Sequence, residues 1–436
     1  MPPGVERAGP GFLLKLPYYI FCMFRAGRVL KKVARRGLDD LENRVLPGFQ
    51  LEIEKAGRKK LADLPHQAVL EELEARERWA LAEYGPELLK PGFLAAYFHG
   101  RLEGTLEMVL GVAGGRALTA ALLAGLEGDK TVESNIALYR VARDESKLED
   151  YLKEFGHRAV NELELAEPRW KEDAVYLRQR MRQYQGTGHI SPVELHAKKK
   201  AERLEAEASL SRVLRENAAS SLEEEIRADL AAAQRHMPWR ETCKHHFLRG
   251  VAVVREAVET LAERWDLGRD IYFLHRSELV SFPDERQKYL ESIEERRLRW
   301  QAFQRLEVPE VLSSDDLEAL GREPVTAAAA DGVFTGTGVA TGAGTGPARI
   351  VKSPDEAGDL GTGYVLVCPT TDPSWTPLFV HAEGIVVERG GMLSHGAIVA
   401  RDFGIPAVVL PQATRLIAPG ACVRVDGNKG TVTLVR

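Results

Sequence analysis

The sequence predicts a multidomain chain: a large all-α N-terminal region followed by a compact C-terminal α/β domain. From about residue 38 to 320, apolar residues such as Leu70, Leu73, Trp79, Leu81 and Leu88 recur at helical spacing among Glu and Arg, punctuated by Pro and Gly. Near residue 320 the composition changes, and Thr326 to Gly346 is rich in Ala, Gly and Thr with almost no charge. Beyond it come short β-rich segments mixed with two helix starts, the pattern of a compact α/β domain. These observations set the expected bounds: a helical domain over 1–320, a flexible connector over 321–346 and an α/β domain over 347–436. A chain of 436 residues can hold two or three domains with ample cores.

Composition narrows the classes. Lys and Arg number 59 against 64 Asp and Glu, a net charge of −5 that argues against a nucleic-acid partner. Cys22, Cys243, Cys368 and Cys422 are scattered without a Cys-x-x-Cys spacing, which fits reduced thiols in a cytoplasmic protein rather than a zinc site. The apolar run from Leu16 to Phe24 lies between Lys15 and Arg25, far short of the roughly 20 residues that span a bilayer. A basic segment, Arg25 to Arg36, follows it where a signal peptide would have a cleavage site, so a packing helix is expected and no membrane span.

Within the helical region, Leu195 to Ala233 reads as a long solvent-facing helix or helical pair, with Lys198-Lys199-Lys200 on a solvated face. Arg240 and Lys244 stand four apart, so both cations project from one helix face, where an anion between them or surface charge balanced by Glu241 are the two readings. His157-Arg158 with Glu162 and Glu164 is open between a site and a buried support. His245-His246 point about 100° apart on a helix, which suits a structural or solvent-facing pair better than a shared metal, and no metal ligand is assigned.

The connector glycines Gly336, Gly338, Gly342, Gly344 and Gly346 match neither Gly-x-Gly-x-x-Gly nor a Gly-Lys-Ser/Thr ending, so they read as a linker running into a first strand. Strands are expected at Ala348–Val351, Tyr364–Cys368, Gly384–Glu388, Ala407–Leu410, Cys422–Val425 and Thr431–Val435, with helices starting near Ser374-Trp375 and His395. The last is the most telling. Gly390-Gly391 turns the chain, Ser394 caps a helix that opens on His395, and Gly404 closes it. An imidazole in that first turn lies where backbone N–H groups and the helix dipole favour an anion, although a lone histidine there can equally cap a structural turn.

The flanks of His395 resemble a known family. Gly390-Gly391-Met392-Leu393-Ser394-His395-Gly396-Ala397-Ile398-Val399-Ala400-Arg401, then Gly404-Ile405-Pro406-Ala407-Val408-Val409, is similar to the signature around the phosphorylated histidine of the phosphoenolpyruvate-utilising enzymes. Thr371-Asp372-Pro373-Ser374-Trp375-Thr376-Pro377-Leu378-Phe379 resembles their rifampin phosphotransferase branch, and Val425 to Val432 resembles the closing hairpin of the same domain. More weakly, Phe155 to Arg158, Asn161 to Leu165, Trp239 to Lys244 and Gly268 to Leu274 look like that branch's helical substrate domain. The resemblance implies a swivelling phosphohistidine domain with His395 as the catalytic nucleophile. Ser394, Gly391, Arg240 and Lys244 become the expected phosphate- and acceptor-binding residues. It implies a dikinase-like phosphotransferase acting on a small-molecule acceptor. The sequence holds no nucleotide loop, so ATP and Mg²⁺ are expected through an ATP-grasp partner. The alternative is a regulatory protein that keeps the fold as an interaction module.

Overall fold

The computed structural model describes residues 37–185, 191–304 and 332–435, apart from 355–356, 359, 372–374 and 392–393, together with Arg25, Val29, Leu30, Val33 and Ala34. The apolar run at 16–24, and residues 321–331 of the expected connector, lie outside the described residues.

Ten helices in this part build the N-terminal region: α1 (Leu46–Arg58), α2 (His66–Glu77), α3 (Tyr84–Leu122), α4 (Lys130–Val141), α5 (Leu148–Phe155), α6 (Val175–Gln185), α7 (Pro192–Glu216), α8 (Glu223–Trp265), α9 (Glu278–Ser281) and α10 (Arg286–Gln304). The starts of α4 and α7 are specified locally. Asp129 accepts the N–H groups of Thr131 at 2.7 Å and Val132 at 3.1 Å, and Ser191 accepts that of Val193 ahead of a helix whose first residue is Pro192. The long helices α3 and α8 pack along each other and organise the rest. Phe49, Leu73, Leu88, Leu261 and Phe282 form one core, and Leu102, Leu106, Leu210, Leu214, Ile226 and Leu230 a second. A third is aromatic, built from Tyr151, Trp170, Tyr176 and Tyr184.

The expected pair over Leu195–Ala233 is α7 and the start of α8, but Leu210 and Leu214 are fully buried, so one of its faces is core rather than solvent. By length and composition alone, the helical stretch His66–Leu122 could cross a bilayer. Leu102, Leu106 and Leu122 belong to the second core, while 22% of the stretch's most apolar window is buried.

The C-terminal domain is an eight-stranded sheet in the order β1-β8-β7-β3-β4-β5-β6-β2, with β1 (Val333–Thr335), β2 (Thr337–Ala340), β3 (Ala343–Ile350), β4 (Tyr364–Cys368), β5 (Ala382–Val387), β6 (Ala407–Val409), β7 (Cys422–Asp426) and β8 (Thr431–Leu434). Strands β3, β4, β5 and β6 are parallel neighbours. Both faces of the central strands are covered, which is why β4 is a continuous apolar run with every residue buried. One face carries α11 (Thr376–Phe379) and α12 (His395–Phe403), packed through Leu378, Phe379, Ala397 and Val399 on Leu366 and Ile385. The other carries α13 (Ala413–Leu416), with Val365, Val367 and Val386 beneath it.

One expectation is corrected. Residues 333–346, read from composition as connector, are β1, β2 and the first half of β3. Their glycines serve close backbone approach rather than flexibility. A Cβ at Gly344 would lie 1.7 Å from the carbonyl oxygen of Glu383, one at Gly338 2.0 Å from that of Gly427, and one at Gly346 2.3 Å from that of Gly363. A strand made of Gly, Ala and Thr carries none of the alternating large side chains that mark strands in sequence.

We therefore expect Gly344→Ala to destabilise the domain by at least about 2 kcal/mol, because the sheet must open to admit the methyl group. Gly57→Ala, with nothing within 4 Å of the added atom in α1, should be neutral or stabilising. Paired thermal melts check this, and equal midpoints would contradict the close approach.

Candidate functional site

The sequence around position 395 folds as its caps dictate. Gly390 has φ +154°, and a Cβ there would lie 2.8 Å from the Ser394 hydroxyl oxygen. Ser394 is extended (φ −67°, ψ 153°), and its Oγ accepts the N–H of Ala397 at 3.4 Å. At the far end Gly404 is left-handed, and the N–H of Ile405 reaches back to the carbonyl of Ala400 at 2.8 Å. Gly396 is pinned as well, because a Cβ would meet the Thr371 hydroxyl oxygen at 2.3 Å. The first turn of α12 thus rests on the strip that follows β4. A Cβ at Gly391, one of the expected phosphate-binding residues, would stand in open space. Met392 and Leu393 lie outside the described residues, and His395 is described by its backbone, the first residue of a nine-residue helix.

Arg240 and Lys244 lie on α8, and each has a carboxylate beside it. Arg240 Nη2 is 3.2 Å from Glu241 Oε1, and Lys244 Nζ is 2.7 Å from Glu162 Oε2. Glu162 also accepts from Nε of Arg158 at 2.6 Å, and both members of that pair are buried. Burial opposes the charge on Glu162, but Arg158 and Lys244 more than offset it and hold the carboxyl at about 2. Arg158, Glu162 and Lys244 form one network with an excess of positive charge. The second cation keeps a spare donor: Nη1 of Arg240 is buried with no hydrogen-bond partner among the described residues.

His157 belongs to the support behind this network. Its Nε2 is 3.1 Å from the carbonyl oxygen of His245, and the two rings stand 4.6 Å apart. His245 and His246 are both buried, so neither faces solvent. Burial is the main cause that depresses all three imidazoles, His157 to about 3 and His246 to about 4. Among the described residues no group of three or more His, Cys, Asp or Glu is arranged to hold a metal ion.

A cavity of about 40 Å³ brings the two parts of the chain together. The helical part contributes Thr131, Val132 and Ile136 from α4, Leu195 and Lys199 from α7, and Glu241 from α8, while α12 contributes Ile398, Val399 and Phe403. Position 395 stands one turn before Ile398 and Val399 on the same helix, whose later residues meet Glu241 across the cavity. Glu241 is 6% exposed and accepts from the Thr131 hydroxyl at 3.0 Å. Lys199, read from sequence as solvated, is largely covered, and its Nζ would lie 3.4 Å from a Cβ at Gly404, the end of α12. Elsewhere along the contact, Arg180 on α6 donates to the carbonyl of Pro354, and Val380 packs on the aromatic core.

Residues 360–430 match the family described as PEP-utilising enzyme, mobile domain. The chain carries the mobile domain of the phosphoenolpyruvate-utilising enzymes. Residues 144–241, which include Arg158, Glu162, Arg240 and Glu241, match the rifampicin phosphotransferase fourth domain. Among curated proteins, a rifampicin phosphotransferase of Streptomyces sviceus is 31% identical over 327 residues, 72% of this chain and 37% of the relative. One of Bacillus subtilis is 30% identical over 299 residues, 65% of this chain and 34% of the relative. A prodigiosin synthesizing transferase of Serratia marcescens, PigC, is 33% identical over 324 residues, 67% of this chain and 34% of the relative. The chain spans about a third of the length of these relatives.

Sequence reading singled out the mobile-domain helix and the two cations, and it passed over Glu241, Thr131 and Asp129. A carboxylate next to an arginine reads as charge balance, and nothing local reveals that it lines a cavity against a helix more than 150 residues away.

The buried imidazoles make stability pH-dependent in a definite direction. In the unfolded chain a histidine takes its proton below about pH 6.5, while in the fold His157 and His246 stay neutral down to about 3 and 4. The unfolded state binds more protons across that window, so stability is full above about pH 6.5 and is lost as the pH falls toward 4. Urea unfolding at about pH 7.5 and about pH 5 should show a lower midpoint in acid, and His157→Gln should narrow the gap. A gap of unchanged width in the variant would remove His157 from this account.

Proposed function

We propose that the chain is a phosphotransferase in which His395 carries a phosphoryl group and delivers it to an acceptor bound by the helical part. The single observation that carries this reading is the shared cavity, where the helix that begins at His395 meets the α8 segment holding Arg240 and Glu241. The mobile-domain match around His395 and the phosphotransferase names of the relatives support it. An ATP-grasp partner, using ATP and Mg²⁺, loads His395 by phosphorylating the neutral imidazole, which attacks as a nucleophile. The backbone amides at the start of α12, capped by Ser394, then hold the phosphoryl charge.

Delivery is a matter of positioning and charge, because phosphoryl transfer asks little covalent chemistry of the protein. Arg240, with a buried unpartnered N–H nitrogen, and Lys244, anchored through Glu162 to Arg158, stabilise the charge on the group in transit. In the docked arrangement the cavity has room for about three waters. An acceptor therefore binds while the mobile domain stands away and is enclosed when the domain returns. The relatives' names cite different compounds, rifampicin in one and the synthesis of prodigiosin in another, so fold alone does not identify the acceptor. A second reading, an interaction module without chemistry, draws on the carboxylate partners of Arg240 and Lys244, which give both cations a structural role.

Incubation with an ATP-grasp partner and labelled ATP separates the two. Transfer predicts acid-labile label on the wild-type chain and none on His395→Ala. Equal label on both, or label on neither, selects the interaction module. Arg240→Ala should take up label yet discharge it to the acceptor about a hundredfold more slowly, the cost of removing one charge-stabilising donor. Discharge at the wild-type rate would take Arg240 out of the delivery site.

A further inference from the structure

We propose that the apolar run at 16–24 docks along the exposed tip of α3, behind the turn on which the mobile domain rests. This contact stands apart from the phosphotransfer reading.

The tip of α3 is apolar and uncovered. The helix breaks at Gly111 (φ +75°) and the chain doubles back. A Cβ at Gly115 would lie 2.4 Å from the amide nitrogen of Glu107, and Arg116 pairs with Glu107 at 2.8 Å. The facing sides of the two arms carry Leu102, Leu106 and Leu122 into the second core. On the outer side Met108 is 78% exposed and Val112 56%, and a Cβ at Gly104 would meet nothing within 4 Å. Large apolar side chains grouped in this way mark a surface that something covers.

Direction and register name the occupant. Arg25, Val29, Leu30, Val33 and Ala34 are helical, as are residues 37–40. Val33, Leu38 and Leu41 line a groove with Lys90, Pro91 and Leu94. Farther back, Ala34 joins Leu94 and Phe98 in one core, with Leu30 and Tyr97 packed against it. Each step back along the N-terminal helix is therefore a step forward along α3. Two antiparallel helices keep such a register, because both rise about 1.5 Å per residue. With Ala34 at Leu94, a helical continuation sets Phe24 at Gly104, Ile20 at Met108 and Leu16 at the turn itself. The apolar run and the apolar tip then coincide in place and in length.

Charge agrees with this course. Glu223, Glu224 and Glu225 open α8, which runs beside the N-terminal helix through the Arg235–Asp39 pair at 2.5 Å, and the stretch from Arg25 to Arg36 is basic. A tethered segment also outcompetes a free partner, since linkage supplies it at an effective concentration of roughly millimolar. Past the tip, Ala113, Arg116 and Ala120 line a small cavity with Val339, Thr341 and Asn428 of the mobile domain. A segment held on Met108 and Val112 backs that seat from the opposite side.

Native Cys22 lies in the run, two residues from Ile20, so the full chain can be tested with few changes. Cys422→Ser removes an exposed thiol, while Cys243 and Cys368 are buried. In that background Met108→Cys is treated, at low protein concentration, with a bismaleimide spanning about 10 Å, the separation of packed helices. A link between Cys22 and position 108 within one chain is expected, and Val280→Cys, 56% exposed on α9, should stay unlinked. A link between two chains would give the tip to a second copy and overturn the proposal, as would no link at all. Independently, maleimide should reach Cys22 about tenfold faster in Met108→Asp, which removes one apolar anchor, and no faster in Val280→Asp. Equal rates in the wild-type chain and Met108→Asp would also overturn the docking.

Discussion

A carboxylate taken out of water must be paired, and in this protein that requirement falls on Glu162. Its partner Arg158 comes from the same turn-rich strip, and Lys244 comes from α8, so one buried charge ties the strip after α5 to the centre of the longest helix. Arg169 reinforces the strip by donating to the carbonyls of Glu162 at 2.8 Å and Glu164 at 3.0 Å. With α8 fixed there, Arg240 and Glu241 one turn earlier have a settled direction, and Thr131 at the start of α4 meets the latter. The polar face that greets α12 is thus the outer edge of a network whose centre never sees solvent.

The sequence revealed most where the physics is local. Ser394 and Gly404 bracket α12 because a hydroxyl at one end and a left-handed glycine at the other act within a few residues. The parallel strand β4 announced itself as an unbroken apolar run, since both its faces are covered, and β5 reads the same way after the exposed Glu383. Strands β1 and β2 did not, because what makes them strands is their pairing with β8 and β6, about a hundred or fewer residues further along the chain, and that pairing is a property of the folded sheet. The buried His245-His246 pair was partly legible: helical geometry rules against a shared ion, while burial depends on Phe155 and His157 approaching from another element. Glu241 was hidden for the same reason, because its partner Thr131 lies 110 residues earlier.

The matches with known proteins divide along these lines. The mobile-domain signature sits on the locally specified helix, and the fourth-domain match covers the strip with Arg158 and Glu162, then α6, α7 and α8 as far as Glu241. The cavity lies where these two segments face each other, and part of its apolar wall, Val132 and Ile136, comes from α4, outside both matches.

Contacts that hold the mobile domain in place are well separated from the polar edge of the cavity. Arg180 with the Pro354 carbonyl, Val380 on the aromatic core and Lys199 at the tail of α12 each engage the domain through a different element. On the proposed phosphotransfer reading, three scattered grips of this kind would set how long the carrier dwells, while the groups at Arg240 would set how fast it reacts during a visit. Residence and chemistry can therefore be tuned independently, and a lineage could adapt its cycling rate to a new partner by altering α6 and α7 while leaving the reactive groups alone.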